Sequence, residues 1–354
     1  MTNIYIRTNG RGNAWPVFLG QEHPFYDRHN YEDLANASYS VVFSDGEYKD
    51  VDSINQEVLV DAGHGSVQYL LKNSNRIPET TLLTHPHIDH TLGLDWVAQS
   101  FYRLHNKKRR YPVYATRLCM DMTLRMFPHL EEVIDFREIS YGIRSAVKEV
   151  PGLSVTPYPV FHGFVAVGAA MLLFEYNEGS HNTRKFGFTG DVMSPLFRDI
   201  DLDHLAGIQA LYVDCNNRFP YPKSNHWSFT KNNPGDQGIS DILESWEKSI
   251  VPEELIKPHL KPGENIEENN YLLNFLKDCN SAGQLCLCIL DLAERIAPQN
   301  IMLAHYSGTE DRKYYKEKIM NDTELLQWVN SQSCIPGINT KFHVPRAGNI
   351  FKII

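Results

Sequence analysis

The sequence predicts a layered α/β fold, and three observations carry that reading. Short apolar or alternating runs recur along the whole chain, from "NIYIRT" at residues 3–8 to "FHVPRAGNIFKI" at 342–353. Segments with apolar residues at helical spacing fall between those runs. Strands at both ends with helices between them are the pattern of stacked sheet and helix layers. Of the 354 residues 42% are hydrophobic, enough for a sizeable core, and no internal repeat divides the chain. One domain over residues 1–354 is therefore expected, with a loop and helical insertion at about 216–283.

Each element has its own signal. After "NIYIRT" comes the glycine turn "NGRGNAWP". Its glycines permit positive φ and close backbone approach, and Asn9, Arg11, Asn13 and Trp15 either face a substrate there or close a tight connection. "SYSVVFSDGEY" and "EVLVDAG" read as strands, "SVQYLLKN" as a helix, and "TTLLTH" as a buried strand. "TLGLDWVAQSFYRLH" is an amphipathic helix, "YPVYAT" a strand and "RLCMDMTLRMF" a helix. "GLSVTPYPVFHG", "VGAAMLLFEYN", "KFGFTGDV" and "IQALYVDC" follow as strands. Helices near 238–249, 268–279 and 284–297 precede the strand "NIMLAH". A helix over 310–330 and a closing strand over 342–353 complete the chain. The run "NNRFPYPKSNHWSFTKNNPGDQG" is rich in Asn, Pro and Gly and reads as loop, a place where function is often carried.

Charge and cysteine usage exclude several classes. The formal net charge of −9 opposes broad binding to nucleic acid or to an anionic membrane. The basic run "HNKKRR" (105–110) reads as a solvated helix end or loop. The opening "MTNIYIRTNG" lacks the pattern of a secretory signal, and no apolar run approaches the ~18–20 residues of a membrane helix. The six cysteines, Cys119, Cys215, Cys279, Cys286, Cys288 and Cys334, form no CxxC pair and read as reduced, packed thiols. A cytoplasmic location is the expectation.

The chemistry is concentrated in "TTLLTHPHIDHTLGLDW" (80–96). His85, His87, Asp89 and His90 fall within six residues at the end of a strand. In an extended segment His85 and His87 point the same way, while Asp89 and His90 lie on the following turn, so one pair can serve one ion and the other pair a second. Imidazole and carboxylate suit Zn²⁺, with Mn or Fe as alternatives. Further ligands should recur at later strand ends. His162 follows one apolar strand, Asp191 another and His305 a third. A single histidine after a strand is ordinarily structural; the order of these three behind the central cluster reverses that judgement.

With these residues in view, the sequence resembles the metallo-β-lactamase superfamily over most of its length. "THPHIDH" is similar to its signature motif, and "VLVDAGHGS" to the preceding strand with its supporting aspartate, here Asp61. The resemblance implies a four-layer αβ/βα sandwich with the site on one edge between two sheets. It implies that His85, His87 and His162 hold one ion, that Asp89, His90 and His305 hold the second, and that Asp191 bridges both. Within the superfamily, "YIRTNGRGNAWPVFLG", "FGFTGDV" and "NIMLAHYSG" resemble the ribonuclease Z-like, phosphodiesterase-type branch. "LYVDCNNRF" followed by "NHWSF" resembles its paired acidic and histidine elements near the leaving group, which singles out Asp214 and His226.

The implied function is that of a dinuclear metal-dependent hydrolase in which the ions activate water for attack on a small or cyclic nucleotide-like phosphodiester. Asp89 is expected to be both a ligand and a catalytic residue that orients the water, and His226 a catalytic proton donor to the leaving oxygen. Asp61 either supports the ligand histidines or is a turn carboxylate before Ala62 and Gly63, and for His64, close in sequence to that strand, both a place at the site and one outside it stay open. The expected cofactors are two divalent ions, zinc by default. The expected partner is a small phosphodiester, with no membrane and no tRNA. The chain shows no basic Gly/Pro-rich arm between residues 100 and 161 to grip an RNA backbone. A homodimer is the assembly left open. Three competing readings remain: a lactone, thioester or amide hydrolase on the same scaffold, a cofactor-biosynthesis protein resembling the pyrroloquinoline quinone biosynthesis B protein, and a metal-stabilised binding protein. The filled ligand set argues against the last.

Overall fold

The computed structural model describes residues 2–13, 23–26, 35–162, 168–179, 183–195, 197, 199–221, 226–231, 234, 286, 288–333 and 339–353. Trp15, Cys279, Cys334, the helices expected near 238–249 and 268–279, and most of the 216–283 stretch lie outside these residues.

The elements run β1 (Asn3–Gly10), β2 (Ser38–Ser44), β3 (Gln56–Val60), α1 (Ser66–Asn73), β4 (Thr80–Leu82), α2 (Ile88–Thr91), α3 (Leu94–Leu104), β5 (Tyr111–Ala115), α4 (Arg117–Met126) and β6 (Ile134–Glu138). They continue with β7 (Ser145–Ala146), β8 (Leu153–Phe161), β9 (Ala170–Asn177), β10 (Thr183–Phe188), β11 (Ser194–Pro195), α5 (Asp199–Leu205) and β12 (Ala210–Asp214). The last are α6 (Ile289–Ile296), β13 (Asn300–Ala304), α7 (Thr309–Tyr315), α8 (Asp322–Gln332), β14 (Lys341–His343) and β15 (Ile350–Ile353). They build a seven-stranded sheet in the order β15-β1-β2-β3-β4-β5-β6. An eight-stranded sheet follows the order β11-β8-β9-β10-β12-β13-β14, with β7 against β8. Both sheets are mixed: β3 runs parallel to β4 but antiparallel to β2, and β10 runs parallel to β12 but antiparallel to β9.

The period-two alternation of these strands sorts most of their side chains into three large buried clusters, which are the three interfaces of a four-layer sandwich, with Tyr5, Val42 and Ile54 in a small fourth cluster. Val58, Val60, Leu172, Phe174, Ala210, Tyr212 and Met302 face the centre, where the two sheets pack on each other. Their neighbours Met171, Leu173, Leu211, Val213, Ile301 and Leu303 face outward, onto Leu292 and Ile296 of α6 and Leu325 and Val329 of α8. On the other outer face Leu59, Val113 and Ala115 meet Leu70 of α1, Val97 and Phe101 of α3, and Met120 of α4. Full burial of each Val, Leu, Ile, Phe or Met among these contributes on the order of 1.5–3 kcal/mol.

Several elements differ from the sequence expectation. The closing segment is two strands, not one. β14 extends the second sheet beside β13, whereas β15 crosses to the edge of the first beside β1. Pro345 cannot donate a ladder hydrogen bond, and Gly348, at φ 90°, turns the chain between them. The helix expected over 310–330 is broken where Lys316 adopts φ 59°, and it restarts at Asn321, whose side chain forms a capping box with Glu324. The short β7 and β11 carry too few residues to show a period. The Asn/Pro/Gly-rich stretch is not a surface loop throughout: residues 216–221 and 227–230 are buried, with Trp227 and Phe229 in the outer core of the second sheet. Trp227 Nε1 donates to the Cys286 carbonyl at 2.9 Å.

Cys119, Cys215, Cys286 and Cys288 are buried and unbridged. Burial pushes all four thiols up, those of Cys286 and Cys288 to about 12. Because the thiolate is the reactive form, brief treatment of the native protein with iodoacetamide should leave these four unmodified and full denaturation should label them. Peptide mass spectrometry that finds any of the four labelled in the native protein contradicts this packing.

Candidate metal centre

Several strand ends deliver the site, and three of them carry left-handed backbone close by. Asp61 follows β3 at φ 56°, Gly190 lies beyond β10 at φ 59°, and His305 follows β13 at φ 64°. For a non-glycine residue that conformation costs roughly 1–3 kcal/mol and persists only where the surroundings enforce it. At Asp61 they do. Its Oδ1 accepts from the Thr84 backbone N–H at 2.8 Å, and its Oδ2 from the Thr84 hydroxyl and His90 Nδ1, both at 2.7 Å. Having donated its proton, Thr84 Oγ1 accepts from His85 Nδ1 at 3.1 Å. One carboxylate thus fixes both rings with Nε2 aimed at the centre. Gly190 is required beside this arrangement, since a Cβ there would stand 2.5 Å from Thr84 Oγ1.

The motif itself bends where the chemistry needs it to. His85 is buried three residues past the end of β4 at Leu82, His87 is extended at φ −59°, ψ 151°, and α2 begins at Ile88, so Asp89 and His90 sit on a helical turn. The carboxylate of Asp191 lies between two histidine groups. Its Oδ2 is 3.8 Å from His85 Nε2 and 3.6 Å from His162 Nε2, and His162 Nε2 is 3.1 Å from His87 Nδ1. Its Oδ1 is 3.1 Å from His90 Nε2 and 3.2 Å from His305 Nε2. Asp89 Oδ2 is 3.8 Å from both of those nitrogens. Each oxygen of one carboxylate therefore addresses a different set. His85, His87, His162 and Asp191 have ligand atoms mutually within 4.8 Å, as do Asp89, His90, Asp191 and His305.

Electrostatics pulls these groups apart. Burial, then the neighbouring rings, lowers the pKa of His85 and of His305. Burial also works against charge on His90, but the Asp191 and Asp61 carboxylates override it and raise its pKa. Burial pushes Asp191 up to about 6. Beside this cluster His226 Nδ1 donates to Asp214 Oδ2 at 2.7 Å, and the His226 ring stacks on that of His305 at 5.7 Å. Burial opposes a charge on His226, yet Asp214 and Asp191 bring its pKa up to about 9. Asp214 is itself fixed by the backbone N–H groups of Val192 at 3.0 Å and Asn216 at 3.1 Å.

A family model for the beta-lactamase superfamily domain matches residues 56–230, which span the motif, His162, Asp191, Asp214 and His226. The chain belongs to the metallo-β-lactamase superfamily. Solved structures share its fold at low identity. A diphosphatase from the PhnP family is 14% identical, with 99% of this chain and 98% of that one covered and a TM-score of 0.58. The metallo-β-lactamase fold protein YhfI from Bacillus subtilis is 11% identical, with 99% of each covered and a TM-score of 0.55. A long form RNase Z from yeast is 13% identical, with 99% of this chain but 42% of that one covered and a TM-score of 0.53. No curated protein matches the sequence.

The superfamily fold implies divalent metal binding, and the residues present fit it. His85 Nε2 is buried with no hydrogen-bond partner among the described residues. His90 Nε2 and His305 Nε2 face each other at 3.4 Å, and His90 already gives its Nδ1 proton to Asp61. Two imidazole lone pairs held that close need a proton or a cation between them. Tetrahedral ligands about 2.1 Å from one ion stand roughly 3.4 Å apart.

Not every residue singled out in the superfamily-like sequence reaches this centre. His64 is exposed, and its carbonyl accepts from the Asn36 N–H at 2.8 Å. Arg11 is a packing residue, not a substrate contact: it is buried in an ion pair with Asp322 at 3.0 Å and donates to the Phe25 carbonyl at 3.0 Å. Asn9 is buried between Arg7 and Ser40, and the carbonyl of the buried Asn13 accepts from Asn36. Sequence reasoning overlooked Thr84, whose only signal is its position one residue before His85, and Thr189, whose hydroxyl accepts from the Asp214 N–H at 3.0 Å. Replacing Asp61 by Asn should weaken metal affinity about 10–100-fold, the usual effect of losing an outer-shell partner. Competition against a chromophoric chelator measures this, and wild-type affinity in the variant refutes the role.

Proposed function

We propose that this protein is a dinuclear metal-dependent hydrolase that cleaves a small or cyclic nucleotide-like phosphodiester. The observation that carries the reading is the carboxylate of Asp191, whose two oxygens face two separate histidine groups with the Asp214–His226 pair at their side. In this reading His85, His87 and His162 hold one ion, Asp89, His90 and His305 the other, and Asp191 both. Zinc is the preferred metal for such a set, with Mn or Fe as alternatives. Two divalent ions so held lower the pKa of water and offset charge on phosphoryl oxygens.

The chain's own groups do the rest. Asp89 orients the attacking water and takes up its proton. Asp214 holds the Nδ1–H of His226, which leaves Nε2 to pass a proton to the departing oxygen. Asp61 and Thr84 keep the His90 and His85 rings in one tautomer. Two relatives in fold are named a diphosphatase and an RNase Z, which favours phosphate over carbonyl substrates. The net charge of −9 favours a small substrate over RNA, because phosphate-backbone contacts dominate nucleic-acid affinity.

Metal analysis should find close to two ions per chain, and a stoichiometry of one in fully active protein contradicts the shared carboxylate. Asp191→Ala should empty both sites, and His305→Ala mainly one. Bis-p-nitrophenyl phosphate and cyclic nucleotides should be turned over in a panel that includes a lactone and a β-lactam; turnover of the lactone alone overturns the phosphodiester assignment. His226→Ala should keep its metal and lose roughly 10²–10⁴-fold in kcat on a cyclic nucleotide, whose leaving oxygen needs a proton. The loss should be much smaller on bis-p-nitrophenyl phosphate, whose leaving group departs as the anion.

A further inference from the structure

Outside the metal centre the described residues bury the ion pairs Arg7–Glu57, Arg11–Asp322 and Arg218–Asp311, and the last lies against the segment that His226 packs beside. Arg218 and Asp311 are 1% and 0% exposed. Asp311 Oδ2 accepts from the Arg218 backbone N–H at 3.0 Å and from its Nε at 3.1 Å, and Oδ1 accepts from the Phe219 N–H at 3.2 Å. The other arm of the guanidinium donates to the Lys318 carbonyl at 2.9 Å. Desolvating such a pair rarely adds net stability over an apolar replacement, so its use is more often geometric.

The geometry it fixes is specific. Residues 216–219 lie between the two elements that carry His305 and His226. On one side the Asn216 carbonyl accepts from the Ser307 N–H at 2.8 Å and the Gly308 N–H at 2.9 Å, two and three residues after His305. Asn217 Oδ1 accepts from the Glu310 N–H at 3.2 Å. On the other side Asn217 bridges Ser228 in parallel, and the Asn217 and Arg218 carbonyls each accept at 3.1 Å, from the Phe229 and Thr230 N–H groups. His226 is two residues before that bridge. Asp311, at the start of α7, thus clamps the short segment to which both histidine-bearing elements are tied.

We propose that the buried Arg218–Asp311 pair is a positioning device that sets the place of His226 against His305 and the substrate's leaving group. This rests on the reading of His226 as a proton donor. Neither clamp residue touches substrate; both act through the backbone of 216–219. A shift of about 1 Å in a catalytic group can cost on the order of 10²-fold in rate.

Asp311→Asn keeps the shape of the carboxylate but removes its charge and one acceptor oxygen. If the cation left on Arg218 prevents folding, the double variant Arg218→Met/Asp311→Leu, which leaves no buried charge, takes its place. Metal content should stay at the wild-type value. The kcat on a cyclic nucleotide should fall about 10²-fold, with less than about a 5-fold loss on bis-p-nitrophenyl phosphate. Adding His226→Ala should cost no more than His226→Ala alone. In proton NMR the His226 Nδ1–H, identified by its disappearance in His226→Ala, should move in the clamp variant. Equal losses on the two substrates, full additivity with His226→Ala, or an unmoved imidazole proton overturns the proposal. If His226→Ala itself shows no leaving-group dependence, the proton-donor reading falls, and the NMR shift alone decides the clamp.

Discussion

The carboxylate of Asp61 is the group on which the geometry of the site depends. It accepts three hydrogen bonds, two from Thr84 and one from His90, and through the Thr84 hydroxyl it also governs His85. Reaching that position requires a left-handed backbone at φ 56°, which an aspartate does not adopt without cost. The close approach of neighbouring segments follows from the same requirement. Gly63 admits the Asp89 carbonyl, 2.1 Å from where a Cβ would stand, and Gly190 admits Thr84. Asp61, Thr84, Gly63 and Gly190 are therefore one device with four parts, and none of the four is itself a candidate ligand in the two sets that share Asp191.

Charge balance explains why the device must be stiff. Rings and carboxylates are packed together at almost full burial, with opposite tendencies: His85 and His305 resist protonation, His90 gains it, and Asp191 is pushed up to about 6 by burial. A soft site would relieve this by letting a side chain swing to water. The paired Asp61–His90 and Asp214–His226 bonds, both 2.7 Å, prevent that by fixing each Nδ1. They also separate roles. The ring tied to Asp61 presents its Nε2 to the Asp191 centre, whereas the ring tied to Asp214 stands at its margin with a side chain 14% exposed.

Much of this was legible in the sequence, and the limits have physical causes. The strands and helices around the motif were readable because burial on one face imposes a period and burial on both leaves a short continuous apolar run. Strand-end residues His162, Asp191 and His305 were readable because each follows an apolar strand. The Asp214–His226 pairing was only suggested, since the partners lie 12 positions apart across a stretch that carries no periodic signal. The burial of Trp227 and Phe229 was hidden for the same reason. Arg11 misled because glycine-flanked polar residues resemble a substrate loop, while its partner Asp322 lies 311 residues away. The Arg218–Asp311 clamp, 93 residues apart, is invisible to any local reading.

The division of the candidate ligands between the sheets links the site to folding. The first sheet contributes His85, His87, Asp89 and His90 through one loop after β4. The second contributes His162 after β8, Asp191 after β10 and His305 after β13. Neither half holds either of the sets that share Asp191, so the centre exists only when the two sheets are docked. Docking is driven by the central core, where Tyr39 of β2 meets Phe188 of β10 at 5.2 Å and Tyr212 of β12 at 4.9 Å, directly beside the site. Anything that binds the assembled centre and not the separated sheets stabilises the docked state by mass action. The same contacts that exclude water from the core therefore set the separation of the two histidine groups, and ligand binding at the edge feeds back on the packing at the centre.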